Sequence, residues 1–469
     1  MTGRIPTALE DSAESRSLAV FSFLWAAAAM FHRAESGTWA RSPLESAESL
    51  AAFWLLFHPR SGRAFLTLVS LQFLQNAVLM PHISNHTILL WIMTGTILLA
   101  AGTLFASGRY APGRLYRAFA PALRIELLIL YFYVVFHKLN PEFFAPETSC
   151  ASALSNQLRS MVGLPMEIGW AHPLAVWGTI FAEAAIPVLL TVRAARMWGI
   201  ALGMGFHFVV GLANFYDFSS LLFACYFLFA PADHPETLAA WWREWRDRLG
   251  VRTLRAAFEG PWWWRPLLAF AGLILLVALD PKVRLLWWIY GLAILAVHLA
   301  TFRRATPNEA SAREILRVRH PVLWIAPLLL FFNGMSPYLG FKTENSFSMF
   351  SNLHTEGGVS NHYLVPASSQ VFDYQRDLVR ILSTSERDLQ RRVDTGGRIP
   401  YAALRTWVSA AAAAGRENLA IRYERGGRLR DLTHAERDPE LSEPYPLLLR
   451  KLLVFRVILD EQSRGTCMH

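Results

Sequence analysis

The apolar stretch YVVF at 133–136 ends in two ionisable residues, His137 and Lys138, and Asn140 and Pro141 then break it. A lysine at the end of a membrane helix commonly extends its ammonium group into water, which is the simplest interpretation of Lys138. The alternative is a buried amine, because burial disfavours the charged form and leaves a neutral amine that can act as a general base. A protonated His137 beside it would strengthen that effect.

A second candidate is His86 in PHISNHTILL, which follows Asn85. His82 precedes His86 at the i,i+4 spacing that also occurs in metal-binding helices. Pro81 disturbs the start of that helix, and the sequence offers no third ligand. We therefore expect His86 to be a capping or interfacial histidine and predict no metal.

Three further polar residues lie within apolar segments. Glu183 in WGTIFAEAAIPVLL must be neutral or paired, and a polar partner inside the helix bundle is the favoured interpretation. His207 and Asn214 are seven residues apart, so they project from nearly one helix face. Three glycines near His207 indicate close helix packing: Gly203, Gly205 and Gly211.

The composition indicates a membrane protein. The 469 residues are 53% hydrophobic and 17% charged, whereas soluble domains have about 25% charged residues. This excludes a disordered chain and a small secreted scaffold. Apolar stretches that approach the ~20 residues of a membrane span recur: 18–31, 48–57, 64–80, 87–105, 122–138, 173–192, 196–213, 217–231, 264–279, 284–301 and 320–334. We predict an all-α polytopic membrane protein with roughly 9–11 hydrophobic helices.

The chain divides into three predicted regions: a cytoplasmic tail at 1–17, a helical membrane domain at 18–335 and a small α+β domain at 336–469. Within the last region we expect helices at 372–393 and 401–414. The segment LAIRYERGGRLRDL predicts a β-hairpin, because alternating strands flank a Gly-Gly turn. The apolar run LLLRKLLVFRVIL is cut by three basic residues and is not counted as a span.

Basic loops predict the orientation. Lysine and arginine concentrate at 58–63, 108–117, 193–196, 241–255 and 302–319, whereas 139–172 has a single arginine. Such loops stay in the cytoplasm, so we expect a multi-pass inner-membrane protein with an extracytoplasmic C-terminal domain. The net charge of +9 is therefore an orientation signal, and we predict no nucleic-acid partner. His86, Lys138 and Asn214 would then lie toward the outer face, with His207 and Glu183 deeper.

A cluster of three tryptophans and the three cysteines of the chain allow two further predictions. Trp241 and its neighbours at 242 and 245 alternate with charged residues, which predicts an interfacial amphipathic helix. Cys150, Cys225 and Cys467 have no metal-binding spacing. We expect no disulfide, although Cys150 and Cys467 could pair.

Four motifs resemble the horizontally transferred transmembrane domain (HTTM) family, which includes vitamin K-dependent γ-glutamyl carboxylase. In order along the chain they are SNHTILL, FHKLNPEFF, FHFVVGLANFYDFSSLLFACYFLF and KTENSFSMFSNL. The resemblance covers about 18 to 365. It implies reduced quinone, O2 and CO2 as reactants, Lys138 as the base and His86, after Asn85, as support for the carbanion step. One departure is the His137–Lys138 pair, where the carboxylase has two lysines.

We therefore predict an enzyme that oxidises a membrane-borne reduced quinone, with coupling to carboxylation or other modification of an exported peptide as a further possibility. Lys138 is the expected base, His86 and His207 its polar partners, and Glu183 a charge-balancing group. The supporting residues are Asn85, His137, Asn140 and Asn214. The alternative is a non-enzymatic membrane partner for maturation, export or immunity of a secreted peptide. A proton-coupled transporter ranks third, because no duplicated halves are visible.

Overall fold

The computed structural model describes residues 8–37, 41–161, 163–165, 169–248, 283–302, 304, 310–394, 397–456 and 467. Helices dominate this part of the chain, and a small antiparallel sheet lies near its C-terminal end. The α-helices are α1 Ala8–Ser36, α2 Pro43–Phe57, α3 Gly62–Leu79, α4 Asn85–Ala106, α5 Pro112–Phe136, α6 Pro141–Phe144, α7 Cys150–Met161, α8 Ala171–Thr191, α9 Arg196–Leu212, α10 Tyr216–Phe227, α11 His234–Arg248, α12 Val283–Phe302, α13 Ala312–Ile315, α14 Ile325–Leu339, α15 Arg387–Asp394, α16 Tyr401–Ala413, α17 Pro439–Ser442 and α18 Leu447–Leu452. The strands are β1 Leu378–Thr384, β2 Arg398–Pro400, β3 Ile421–Arg425 and β4 Arg428–Leu432.

Seven helical segments in the described residues are long and apolar enough to cross a membrane. The predicted class, a polytopic all-α protein with a small α+β domain, is confirmed. The predicted segment at 217–231 forms the 12-residue α10, and the one at 264–279 lies outside the described residues. The seven segments are Ala13–Ser36, Asn85–Ala106, Pro112–Phe136, Ala171–Thr191, Arg193–Leu212, Val283–Phe302 and Pro321–Leu339.

The predicted short segment at 48–57 belongs to α2, a 15-residue helix that is not among these seven. Ser42 caps it through a capping box with Glu45. Buried Arg33 of α1 forms an ion pair with Glu48 and approaches a carboxylate oxygen of Glu45 at 3.8 Å. These charges attach α2 to α1.

The chain forms two compact units, and the first comprises Met1–Val78, Leu89–Ile129 and Ala182–Leu328. Its core contains an aromatic cluster in which the ring of Phe21 lies 5.3 Å from Trp25, 6.0 Å from Phe65 and 5.5 Å from Phe119. The indole nitrogen of Trp25 donates to Gln72 (2.8 Å), so the polar atom of this buried side chain is satisfied.

Two of the three glycines near His207 permit close helix packing, as predicted. A Cβ on Gly203 would lie 2.5 Å from the ring of Tyr226, and one on Gly211 would clash with Trp287. Gly205 has nothing within 4 Å of its Cβ position, so packing does not explain that glycine.

The second unit comprises Leu79–Ile88, Leu130–Phe181 and Leu329–His469. It contains the sheet, whose strand order is β2-β1-β3-β4 and whose neighbouring strands are all antiparallel. Val379 and Ile381 of β1 and Tyr423 of β3 form one buried cluster with Leu404 and Val408 of α16. The sheet is therefore covered on one face by a helix.

The predicted hairpin is confirmed. β3 and β4 pair in register from Ile421 opposite Leu432 to Arg425 opposite Arg428, and Gly426 and Gly427 between them have φ of 56° and 74°. Positive φ at both turn positions suits the right-handed twist of the strands. The predicted helix at 401–414 is also confirmed, as α16.

The helix predicted at 372–393 is wrong over its first part, which contains strand β1 before α15 begins at Arg387. Leu378, Ile381 and Leu382 have helical spacing in the sequence. In the structure Ile381 is buried and Leu382 is exposed, which is the alternation of a half-buried strand.

Candidate functional site

The HKLNP motif lies in the second unit, directly after α5. The α5 helix ends at Phe136, and Asn140 caps α6 by accepting a hydrogen bond from the backbone N–H of Phe143 (2.9 Å). The amide of Asn140 also donates to the carbonyls of His137 (2.9 Å) and Ser351 (2.7 Å). Asn140 is thus a positioning residue, because it fixes the turn that holds the two ionisable residues.

His137 is completely buried and hydrogen-bonded at both ring nitrogens. Its Nε2 lies 3.0 Å from the carbonyl of Ser346, and its Nδ1 lies 2.7 Å from the hydroxyl of Tyr338. Because a carbonyl only accepts, Nε2 carries the hydrogen and Nδ1 accepts from the tyrosine. Burial lowers the pKa of His137 to about 3, so the ring is neutral. A neutral His137 adds no charge beside Lys138, so the condition for the predicted effect of a protonated His137 is not met.

Lys138 is 3% exposed, so its ammonium group does not extend into water. Its Nζ donates to the carbonyl of Val134 (3.0 Å) and lies 5.7 Å from the centre of the Phe143 ring. The amine is therefore held by a hydrogen bond and by contact with an aromatic ring. The interpretation of Lys138 as a snorkelling anchor is wrong, and the buried amine remains.

A second buried lysine, Lys342, was missed as a site residue. It is 2% exposed, and its Nζ donates to the carbonyl of Asn345 (3.3 Å). Burial lowers the pKa of Lys342 to about 7, against an opposing effect of Glu344. About half of such amines are neutral at neutral pH and can accept a proton.

The sequence did contain a signal for Lys342. Of the 45 lysines and arginines only four are lysines: Lys138, Lys282, Lys342 and Lys451. Arginine keeps its charge near neutral pH, whereas a buried lysine can lose it. Two of the four, Lys138 and Lys342, are buried in the second unit.

The loop from Lys342 to Phe347 connects the motifs. The carbonyl of Ser346 accepts from His137, and the N–H of Phe347 donates to the side chain of Asn85 (2.7 Å). The side chain of Asn345 lies 3.3 Å from the carbonyl of Pro81. The structure therefore brings the HKLNP motif, Asn85 and the KTENSF motif together in the second unit.

The loop and the residues that follow it, up to Asn352, have an unusual backbone. Asn345, Phe347, Phe350 and Asn352 all have positive φ, between 55° and 65°. Bulky side chains rarely adopt this conformation, and clusters of such residues commonly mark functional sites. Because this conformation is unfavourable by itself, the hydrogen bonds and packing around the loop must stabilise it.

His86 lies at the start of α4, next to Asn85. Its ring is hydrogen-bonded to the hydroxyl of Ser84 (3.0 Å). Because α4 begins at Asn85, His82 lies before the helix and does not share a helical turn with His86. The metal-like spacing therefore does not produce a helical ligand pair.

Val454 and Arg456 bind the loop and the residues that follow it. The carbonyl of Val454 accepts from the backbone N–H groups of Thr343 (3.1 Å) and Glu344 (3.0 Å). Arg456 forms a buried ion pair with Glu356 (2.5 Å). Burial alone would raise the pKa of Glu356, but the Arg456 guanidinium lowers it below its usual value.

A disulfide joins Cys150 at the start of α7 to Cys467. The expectation of no disulfide is wrong. The backbone N–H of Cys150 also donates to the side chain of Asn352 (2.9 Å). Cys467 is therefore attached to the same region as the loop.

The other predicted site residues belong to the first unit. Buried His207 contacts the rings of Phe218 and Tyr226, at 5.4 and 6.1 Å between centres. Asn214 accepts hydrogen bonds from Arg284 (2.8 and 3.2 Å). Glu183 is half-buried on α8.

No family model, curated protein or solved structure matches this chain. Membership of the HTTM family therefore stays a prediction from the four motifs.

Proposed function

We propose that this membrane protein accepts a proton from the hydroxyl group of a lipid-borne reduced quinone, using the buried amines of the second unit. The observation that carries the proposal is the burial of Lys138 and Lys342, two of only four lysines, in one unit. Lys342 begins the loop whose Ser346 carbonyl accepts from His137, the neighbour of Lys138. A buried amine is a costly feature that commonly marks function. Lys138 is the proposed acceptor because its motif resembles that of the carboxylase base.

The surrounding residues fit an aromatic, weakly acidic ligand. Phe143 lies against Lys138, and Tyr133 stacks on His137 with 5.2 Å between ring centres. The buried hydroxyl of Tyr133 has no hydrogen-bond partner in the described part of the chain. Buried hydroxyls normally have partners, so this oxygen is available to a ligand.

A reduced quinone would supply an acidic hydroxyl group and the electrons for reduction of O2. The residues of the chain would act on the proton: the ligand O–H bond breaks and an N–H bond forms on the lysine. Neutral His137 would orient the Tyr338 hydroxyl without adding charge. Lys342 would serve as a second proton-binding amine, because its pKa of about 7 leaves a neutral fraction near physiological pH.

We also propose that the second unit's loops and the small domain lie outside the cytoplasm, in an inner-membrane protein. Disulfides persist in oxidising compartments such as the periplasm. The Cys150–Cys467 bond therefore supports the same extracytoplasmic location that the distribution of basic loops predicts. Coupling to carboxylation of an exported peptide remains the finer proposal, supported by the motif resemblance alone.

The test is turnover of a reduced quinone by the protein in lipid nanodiscs, measured by O2 uptake and by mass spectrometry of a quinone epoxide. Lys138→Arg keeps a cation but cannot accept a proton near neutral pH. We expect a loss of about 100-fold or more, within the usual range for a general base. Lys451→Arg is the matched control, because Lys451 is half-buried in the same unit, donates to the carbonyl of Met80 (3.2 Å) and lies outside the HKLNP and KTENSF motifs. Retained turnover in Lys138→Arg contradicts the proposal.

A further inference from the structure

An irregular segment at 359–372 exposes a set of apolar side chains. We call them the interfacial rim, which consists of Val359, Tyr363, Leu364, Val371 and Phe372. Leu364 is 68% exposed and Val371 is 74% exposed. A loop that faces only water rarely groups so many apolar side chains, and exposed apolar patches usually mark an interaction surface.

The rim is attached to the ends of two candidate membrane spans. The backbone N–H of Tyr363 donates to the carbonyl of Leu139 (2.9 Å), three residues beyond the end of α5. The N–H groups of Val371 and Phe372 donate to the carbonyl of Leu339 (3.0 and 2.9 Å), the last residue of α14. Since both spans end there, the rim lies at the level where the apolar helices stop.

The rim also continues the apolar surface of a third span. The ring of Tyr363 stacks on Phe144 at 6.3 Å, and Phe144 lies 5.1 Å from Trp177. Trp177 is 61% exposed on α8, a candidate span in which 22% of an 18-residue apolar stretch is buried. Aromatic residues are enriched at membrane–water interfaces. The exposed surface therefore runs without a break from α8 to Tyr363.

We infer that the interfacial rim is a lipid-binding surface that inserts into the bilayer leaflet at the ends of α5 and α14. The occupant is the lipid bilayer, because the rim is continuous with helices that already require lipid contact. This inference does not depend on the proposed enzymatic activity. It places Lys138, next to Leu139, and Lys342, three residues after Leu339, near the membrane–water boundary.

Spin labels on the full-length protein in nanodiscs test this inference. Leu364→Cys and Val371→Cys are labelled, and collision with apolar O2 is compared with collision with a water-soluble nickel chelate. Leu429→Cys is the matched control, because Leu429 is 52% exposed on β4, in the sheet. Free Cys225 is fully buried, so the unlabelled background is measured on the parent protein.

We expect the two rim labels to collide more with O2 than with nickel, and the Leu429 label to show the reverse order. All three positions are exposed, so folding is not at risk. Correct folding of each labelled variant is checked by its thermal unfolding temperature, which should equal that of the parent protein. Rim labels with the nickel accessibility of the Leu429 label overturn the inference. Rim labels shielded from both reagents overturn it as well, because they would indicate a protein contact.

Discussion

Replacing Lys342 with methionine should stabilise the protein, and the gain should shrink as the pH rises. Lys342 is 2% exposed, and burial lowers its pKa from 10.5 to about 7. Folding at neutral pH must therefore desolvate the ammonium group or release its proton. Methionine has a similar length and no charge, so it removes this cost.

The sign follows from proton binding. Between about pH 7 and 10.5 the unfolded chain holds more protons on Lys342 than the folded protein does, so wild-type stability rises with pH in this window. At 1.36 kcal/mol per pKa unit, the cost of burying Lys342 is about 4 kcal/mol near pH 7 and about 2 kcal/mol near pH 9. Loss of the hydrogen bond to Asn345 offsets about 1 kcal/mol. The expected net gain is about 3 kcal/mol near neutral pH and about 1 kcal/mol near pH 9.

The assay is thermal unfolding followed by intrinsic tryptophan fluorescence across this pH range. Gln375→Met is the control, because Gln375 is fully buried in the same unit and donates to the carbonyls of Pro337 (2.6 Å) and Thr355 (3.0 Å). It should lose stability by an amount that does not change with pH. A Lys342→Met gain that stays constant from neutral to alkaline pH would refute the reasoning, since burial would then not control the amine.

Two further predictions concern the attachments of the loop. Glu356→Gln leaves the buried Arg456 charge without its partner and should destabilise the protein by about 3–5 kcal/mol, whereas Glu356→Gln with Arg456→Met should recover much of this loss in a double-mutant cycle of unfolding temperatures. An additive double mutant would contradict the buried pair. Cys150→Ser should lower stability by about 2–5 kcal/mol, and Cys467→Ser should give the same loss with no further loss in the double variant. Unequal or additive effects would show that the two cysteines do not act as one bond in solution.

Local features of the sequence determined much of the fold. The length and apolar character of segments such as 87–105 and 284–301 were enough to predict α4 and α12, because a bilayer requires about 20 apolar residues per helix. The Gly-Gly pair at 426–427 predicted the β3–β4 hairpin, because glycine readily adopts positive φ. Asn140 and Pro141 correctly marked the end of α5.

Tertiary structure decided the candidate site. His137 lies 201 residues from Tyr338 in the chain and 209 from Ser346, so no local pattern could show that its ring is neutral and doubly hydrogen-bonded. Lys342 follows an ordinary helix end, and only burial makes its amine unusual. The disulfide joins residues that are 317 positions apart in the sequence. Strand β1 forms where the local pattern predicted a helix, because β2 and β3 pair with it.

The sequence by itself therefore determined where the chain forms apolar helices and which ionisable residues lie within them or at their ends. The structure decided which of those residues are buried, which neighbours bind them and which side chains remain exposed. The physical reason is that hydrophobic periodicity and turn residues act over a few positions, whereas desolvation and hydrogen bonding depend on groups that folding brings together from distant parts of the chain.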